Sequence, residues 1–387
     1  MKNAFTFALV SLWLGCPGPG RPDAGSAGGG VAATGGGVVT AGGSAGGGPV
    51  AGGSAGGSVS AGGSASAGGS AIDAGPIVRI TGGLPPYAVR TNGEVWGMGS
   101  MPLVQFDGDR PIDLQADIGF ILIRSDGGIG HMGVGTDPSG FAGATKVSAG
   151  VFHACALMAD STVRCLSDVA SNLSGEVGNG TNSPSVRAAT VTGVVTAKAL
   201  WLGLERSCAL LLDSTVSCWG SKPGNGTEAS NVAVPVTGLR DIVSIDGSWN
   251  ITCAHHFDGR TWCWGEAIHL PVESDGGTEH LTPIELPNLR GAIEVKGGRD
   301  HQCAVFPSGV VKCWGMHGII SSFQLGLDLQ YPQESTEPNP VVGITDGIRL
   351  SAGRDQTCVL RRTGTVTCWG ATWSSAGSIL QDQAPLP

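Results

Sequence analysis

The sequence predicts an all-β fold built from a repeated four-stranded unit, and three regularities of the chain predict it. Ten of the 11 cysteines form five pairs, each with a spacing of ten residues. Each pair brackets apolar and β-branched residues that a turn signal interrupts, as in "CAHHFDGRTWCWG" (253–265). The stretch recurs along residues 77–387, and seven copies over that range give roughly 45 residues per copy, a spacing typical of propeller blades.

Each copy contains a predicted β-hairpin whose two cysteines face each other. In the loop 257–259, the D-G signal predicts a type I turn followed by a residue in the left-handed region, where glycine avoids a steric penalty. This register closes the hairpin with His256 opposite Arg260 and brings Cys253 opposite Cys263. The same glycine position is filled by Gly93, Gly127, Gly309 and Gly364. Ser161 and Ser214 stand there in two copies, for which we expect a different turn.

The hairpin register favours local disulfides. The cysteines fall on a non-hydrogen-bonded pair, where Cα atoms are about 4.5 Å apart, within the range that a disulfide tolerates. A metal site is the alternative, but zinc ligands usually follow a short C-x₂₋₄-C spacing. We therefore predict five bonds, which require an oxidising compartment: Cys155–Cys165, Cys208–Cys218, Cys253–Cys263, Cys303–Cys313 and Cys358–Cys368.

Further strands flank the hairpins. Two copies, "YAVRTNGEVWGMG" (87–99) and "ILIRSDGGIGHMG" (121–133), keep the frame without the cysteines and bring the total to seven. One strand precedes each hairpin, as in "KVSAGVFHAC" (146–155), and a Pro-apolar segment such as "VPVTGL" (234–239) adds another. The prediction is a seven-bladed β-propeller of about four short antiparallel strands per blade. As a hypothesis, "QAPLP" (383–387) gives a strand to the first blade.

The repeat resembles that of the regulator of chromosome condensation family, whose members form seven-bladed β-propellers. The likeness lies in the succession AGxxH, C-AL, DG, V-x-CWG, GQLGxG and P-x-V, and it covers residues 77–387. The cysteine pairs and the poor GQLGxG segments depart from the best-known members. The chain is most similar to the secreted bacterial branch, in which such heads often follow lipoprotein signals. By analogy with the nuclear member, the resemblance would imply guanine-nucleotide exchange or chromatin binding.

The first 76 residues predict export and a tether. Residues 1–16 resemble a lipoprotein signal peptide: Lys2 precedes an apolar run, too short to span a membrane comfortably, that ends in Leu14-Gly15-Cys16. Cys16 would then be lipidated; the alternative is that it is removed with an ordinary signal peptide. Residues 17–76 are rich in Gly, Ala and Ser and lack aromatic residues, which predicts a disordered tether. We expect a cell-envelope location, as an outer-membrane lipoprotein of a Gram-negative bacterium, or secretion.

No motif in the chain carries recognisable catalytic chemistry. The sequence has no P-loop, H-E-x-x-H, EF-hand loop or G-x-S-x-G. His153 and His301, two residues before the first cysteine of their pairs, are interpreted as structural. We expect no catalytic residue, no cofactor and no metal. An alternative is a propeller lyase or hydrolase, which would need such a histidine beside a carboxylate at the channel mouth.

The candidate binding face lies on the turns that precede the paired cysteines. In an up-and-down blade these turns share one face with the connections that follow Trp-Gly, including the long ones at 166–183, 266–281 and 316–338. The candidate residues are Glu205, Arg206, Trp249, Asn250, Arg299, Asp300, Arg354 and Asp355. Trp249 is singled out because it does not recur, unlike the blade-packing tryptophans. The alternative for the Arg-Asp pairs is ion pairing with neighbouring blades.

The sequence thus favours a monomeric, non-enzymatic module that binds a protein or glycan at the cell surface. Membrane contact is expected through the lipid anchor only. The net charge of −9 argues against a nucleic-acid partner, since phosphate recognition requires a basic surface.

Overall fold

A computed structural model describes residues 77–81, 87–90, 95–97, 113–116, 120–123, 129–132, 137–168, 171–266, 270, 279–316, 324–326, 334–370 and 381–383. All of them belong to a unit that spans Gly68–Pro387. The predicted signal peptide with Cys16 and the predicted tether 17–76 lie outside the described residues.

The described residues form 26 strands in seven groups, one for each sequence repeat. The first three groups are Ile77–Thr81 (β1), Tyr87–Arg90 (β2) and Val95–Gly97 (β3); Asp113–Ala116 (β4), Phe120–Ile123 (β5) and Ile129–Met132 (β6); and Ala144–Ala149 (β7), His153–Met158 (β8), Val163–Ser167 (β9) and Ala189–Thr190 (β10). The fourth and fifth are Ala197–Leu202 (β11), Arg206–Leu211 (β12), Val216–Ser221 (β13) and Ala229–Pro235 (β14); and Ile242–Gly247 (β15), Ile251–His256 (β16), Thr261–Glu266 (β17) and Glu279–Glu285 (β18). The last two are Glu294–Gly297 (β19), His301–Val305 (β20), Val311–Met316 (β21) and Glu334–Pro340 (β22); and Gly347–Gly353 (β23), Gln356–Arg361 (β24), Val366–Gly370 (β25) and Gln381–Gln383 (β26). Single-turn 3-10 helices occupy Pro138–Phe141 and Pro287–Leu289.

The groups succeed one another around a centre. Within each group the strands pair antiparallel in chain order. The first strands of the groups (β1, β4, β7, β11, β15, β19 and β23) contact one another in that succession, and β23 contacts β1. Short antiparallel sheets in cyclic succession are the arrangement of a β-propeller, so the predicted fold is confirmed. The number of seven blades stays a prediction, because much of the first two groups lies outside the described residues.

The contact between the first and last groups is apolar. Ile80 and Ala88 pack against a cluster on the last group, made of Cys358, Leu360 and Val366. Gln383 does not join the first group, as hypothesised from the sequence, but lies opposite Val366 in the outer strand of the last group. Residues 384–387 lie outside the described residues.

The recurring tryptophans fill the space between successive groups. Trp219, Trp264, Trp314 and Trp369 are fully buried. Trp219 packs with Val177 and Val191 of the preceding group, and Trp369 packs with Leu325 and Val341 in the same way. The blade-packing role predicted for these residues is confirmed, and their burial supplies a large apolar contribution at each contact.

The five predicted disulfides are all present, and the hairpin register explains them. In every pair the two cysteines are directly opposed, with Cα atoms 4.0–4.1 Å apart. In the hairpin of Cys253 and Cys263, the His256 N–H donates to the Arg260 carbonyl at 2.9 Å, and Gly259 has φ +87°. The predicted three-residue loop is therefore confirmed.

The two serine-bearing turns do not differ from the others, contrary to our expectation. Ser161 and Ser214 both adopt φ +66°, and their N–H groups donate to Met158 and Leu211 carbonyls at 3.0 Å. In the second turn, the Asp213 carboxylate accepts from the Thr215 N–H at 3.0 Å and from its hydroxyl at 2.7 Å. These side-chain hydrogen bonds offset the cost of placing a residue with a Cβ in the left-handed region.

Candidate functional site

The turns between the first and second strands of the later groups form one continuous surface. Leu204 N–H donates to the Trp249 carbonyl at 3.0 Å, and Trp249 N–H donates to the Gly298 carbonyl at 3.3 Å. Arg299 N–H donates to the Arg354 carbonyl at 3.1 Å. Each turn is thus fixed to the next by its backbone, and the side chains of these turns project from a rigid base.

The long connections reach the same surface. Ser174 and Gln324 lie between the third and fourth strands of their groups, and each contacts an acidic turn residue of the following group. The Ser174 hydroxyl donates to Glu205 Oε2 at 2.8 Å, and Gln324 Nε2 donates to Asp355 Oδ1 at 3.0 Å. This agrees with the sequence argument that these turns and connections share a face.

The arginine and aspartate residues of the candidate face pair within their own turns. Arg299 Nε lies 2.7 Å from Asp300 Oδ2, and Arg354 Nε lies 3.5 Å from Asp355 Oδ2. Ion pairing between neighbouring blades, the alternative considered above, is therefore not the arrangement of these pairs. The two arginine side chains are 36% and 47% exposed. Because ion pairs at such exposure contribute little, the guanidinium groups stay accessible to a partner.

Arg206 does not belong to the surface, which corrects its assignment from the sequence. It occupies the position of His153 and His301, two residues before the first cysteine, and is only 4% exposed. Its Nη1 donates to Thr252 Oγ1 of the next group at 2.8 Å, and its Nε donates to the Ser221 carbonyl at 2.5 Å. Burial lowers the pKa of Arg206 to about 10. The turn ends at Glu205, and Arg206 already lies in β12.

The two repeat histidines bridge successive groups. The Ser207 hydroxyl donates to the Glu176 carbonyl at 3.0 Å and lies 2.8 Å from His153 Nε2, so it accepts from the histidine. His301 Nε2 lies 2.7 Å from Thr357 Oγ1. Burial lowers the pKa of His153 to about 3, which keeps its ring neutral. Their structural interpretation agrees with these contacts, and neither lines the cavity described below.

A buried Asp-His-Thr cluster has the hydrogen-bond order of a hydrolase triad, but a substrate cannot reach it. His255 Nε2 lies 2.9 Å from Asp246 Oδ1, and His255 Nδ1 lies 3.1 Å from Thr261 Oγ1. The three residues are at most 4% exposed. The Thr261 hydroxyl also donates to the Leu289 carbonyl at 3.3 Å. A nucleophile must contact its substrate, and the Thr261 hydroxyl is buried at the interface between two groups. The cluster is therefore structural.

Carboxylates on the first strands cap the backbone of the next group, a feature that the sequence reasoning missed. Each accepts a hydrogen bond from the N–H of an apolar residue at one repeat position of the following first strand. The pairs are Asp113 with Val147 at 2.9 Å, Asp246 with Val295 at 2.9 Å, and Glu294 with Leu350. First strands have few backbone partners on their inner edges, apart from one parallel pairing of β15 with β19 at Gly247 and Lys296, so these contacts satisfy buried N–H groups.

A central cavity of about 290 Å³ opens between the first strands. Its charged lining residues are Arg79, Glu294, Lys296 and Arg349, and its polar and aromatic lining includes Ser148, Ser248, Ser351, Trp201 and Trp249. Sequence reasoning missed the four charged residues. The sequence signal for them is a spacing of two residues between polar side chains in a first strand, as in Glu294/Lys296 and Arg349/Ser351. This spacing places both side chains of each pair on the same face of the strand. Trp201 packs in the core and also lines the cavity.

The described ranges offer neither a cluster of metal-ligating side chains nor a membrane-spanning helix. They contain no group of three or more His, Cys, Asp or Glu side chains positioned to hold a metal ion. No helix among them has the length and apolar character needed to cross a bilayer.

Comparisons with known proteins identify the fold. No protein-family profile and no curated protein matches the sequence. The structure of human WBSCR16 superposes with a TM-score of 0.58 at 15% identity, covering 74% of this chain and 87% of that chain. The structure of Kap60 bound to yeast RCC1 (Prp20) superposes with a TM-score of 0.52 at 16% identity, covering 76% and 70%. At such identities the likeness concerns the fold alone, a propeller like those of RCC1-repeat proteins.

Proposed function

We propose that this chain is an exported, lipid-anchored and non-enzymatic binding module that engages a protein or glycan through its turn surface. We define the turn surface as residues 151–152, 204–205, 249–250, 299–300 and 354–355. The observation that supports the proposal is the backbone hydrogen bonding between successive turns. It provides a fixed base on which side chains vary from group to group, as in other repeat proteins that bind partners.

The chemistry of the turn surface suits recognition of a macromolecule. Phe152 is 43% exposed, Trp249 is half-buried, and Arg299 and Arg354 present guanidinium groups. Aromatic residues and arginine are enriched where binding energy concentrates in protein interfaces. Yeast RCC1 (Prp20), whose fold this chain shares, is bound by the protein Kap60. That complex is a precedent for protein binding by this fold and leaves the partner of the present chain to experiment.

An enzymatic role has less support. A lyase or hydrolase would need a histidine and a carboxylate converging at the channel mouth. His153 and His301 are instead buried between groups, where their Nε2 atoms bond to Ser207 and Thr357. Nucleotide exchange or chromatin binding is disfavoured by the net charge of −9 and by the proposed export.

The proposed anchor places the head at a distance from the membrane. With Cys16 lipidated, the Gly/Ala/Ser-rich segment 17–76 would give an end-to-end distance of roughly 40–45 Å. Intact mass spectrometry of the native protein tests this part: an acylated Cys16 supports it. A mature chain that begins after Cys16 contradicts it.

The binding proposal is tested with two matched triple variants in a pull-down from the envelope fraction. Trp249→Ala/Arg299→Ala/Arg354→Ala removes one aromatic residue and two arginines from the turn surface. Phe257→Ala/Arg290→Ala/Arg362→Ala likewise removes one aromatic residue and two arginines, from exposed positions at the opposite ends of the strands. We expect the first variant to lose a partner that the wild type and the second variant retain. Retention of every partner by the first variant would refute the proposal.

A further inference from the structure

The central cavity presents two cations that are not committed to structural ion pairs. Arg79 donates to Asp113 at 2.6 Å, and Glu294 accepts from the Leu350 N–H. Lys296 and Arg349 lie close enough to Glu294 for their charges to act on its carboxylate, but neither forms a direct ion pair within the described part of the chain. Both point from first strands into the cavity. Two such cations near one opening can both bind the same anionic group. The hydrogen bonds formed in this way are charge-assisted and therefore stronger than neutral ones.

A buried hydroxyl in the same lining also points to a ligand. Ser351 is 4% exposed, and its Oγ has no hydrogen-bond partner among the described residues. It lies two residues after Arg349 on β23, and therefore on the same face of the strand. A buried polar group without a partner is costly, so such a hydroxyl favours an acceptor or donor supplied from the cavity.

The remaining lining defines the shape of the ligand. Trp249 offers an indole, and Ser148 and Ser248 offer further hydroxyl groups. The volume of about 290 Å³ lies at the small end of ligand sites, which run to roughly 1,000 Å³. The cavity therefore accommodates a single ring bearing hydroxyls and one anionic substituent, and not an extended chain.

We infer that the central cavity binds a uronic acid unit. Its carboxylate pairs with Lys296 and Arg349, one of its ring hydroxyl groups bonds to Ser351 Oγ, and its ring lies against Trp249. The inference goes beyond the turn surface, with which it shares only Trp249, because its charged residues lie on the first strands inside the propeller. It stands whether or not the turn surface engages a partner.

Calorimetric titration of the oxidised full-length chain with D-glucuronate tests the inference. We expect saturable binding to one site, with D-glucose and acetate at least about tenfold weaker, because each lacks one part of the recognition. Lys296→Met and Arg349→Gln should each weaken glucuronate binding by about tenfold. Arg362→Gln, which removes the same charge from an exposed turn at the opposite ends of the strands, should leave it unchanged.

Ser351→Ala provides a second test that adds no bulk to the fold. We expect it to weaken glucuronate binding about fivefold, the effect of one neutral hydrogen bond, with an unchanged near-ultraviolet circular dichroism spectrum. Equal affinity for acetate or inorganic phosphate would overturn the sugar part of the inference. Wild-type affinity in Lys296→Met and Arg349→Gln, or absence of glucuronate binding at millimolar concentration, would overturn the site itself.

Discussion

Replacing Cys208 and Cys218 together by alanine is expected to lower the free energy of unfolding without changing the fold. The two cysteines are ten positions apart in one hairpin and are fully buried. Closing a loop of this length removes unfolded-state entropy worth about 2.8 kcal/mol in the chain-entropy model. Loss of the two buried sulfur atoms adds roughly 1 kcal/mol each, by analogy with deletion of a buried methyl group.

The five disulfides close five separate loops, so their entropic contributions add to a first approximation. Reduction of all five should then cost about 14 kcal/mol, which is comparable to the whole stability of a typical domain, about 5–15 kcal/mol. The reduced chain is therefore expected to be unfolded in buffer, whereas the chain that lacks one pair stays folded.

Guanidinium unfolding followed by tryptophan fluorescence measures both effects. The reasoning is refuted if the Cys208→Ala/Cys218→Ala chain unfolds at the wild-type midpoint. It is equally refuted if the fully reduced chain unfolds cooperatively at the midpoint of the oxidised chain.

Three further predictions concern turns, glycines and pH. Ser161→Gly should raise the free energy of unfolding by up to about 1 kcal/mol, because φ is +66° at this position. Ser214→Gly should raise it by less, because the Ser214 hydroxyl also accepts a hydrogen bond from a lysine. Urea titration measures both values, and an unchanged free energy of unfolding in both variants would contradict this prediction. Gly298→Ala should lower the free energy of unfolding by about 2–3 kcal/mol, because its Cβ would lie 2.3 Å from two backbone carbonyl oxygens of the next group. Gly238→Ala has φ +78° and open space, and should lower it by only about 1 kcal/mol. Equal shifts of the thermal unfolding midpoint in the two variants would contradict the steric explanation. Because the pKa of His153 falls from 6.5 to about 3 on folding, its contribution to stability is complete above pH 6.5 and declines as the pH falls towards 3. Unfolding midpoints between pH 7 and pH 4 should therefore fall less steeply in His153→Gln, and parallel slopes would refute the assignment.

The hairpins and their disulfides could be predicted because they depend on local pairing. A turn signal sets the register of a hairpin, and the register sets which residues oppose each other. The opposition of Cys253 and Cys263 follows from Gly259 and needs no knowledge of the remaining fold. The tryptophan that follows the second cysteine could be assigned to packing for a similar reason, since it recurs with the repeat.

The sequence does not predict where a side chain lies when contacts between groups determine its position. Arg206 was assigned to the surface because it adjoins the turn, but its side chain turns inward to Thr252 of the next group. The serine turns are a local exception, because the Asp213 carboxylate supports the left-handed Ser214 from within the same loop. The cavity charges were missed because only assembly of the first strands around a centre brings Lys296 and Arg349 together.

Several side-chain contacts run from one group to the following one. Asp246 and Glu294 each reach the N–H of the following group, and His153, Arg206 and His301 each reach a hydroxyl of the following group. A chain emerging amino end first can therefore complete each interface as soon as its next repeat appears. The seam between the last and first groups, joined by the apolar cluster around Ile80, can form only when both groups are present. Closure of the ring therefore joins segments from the two ends of the repeat array.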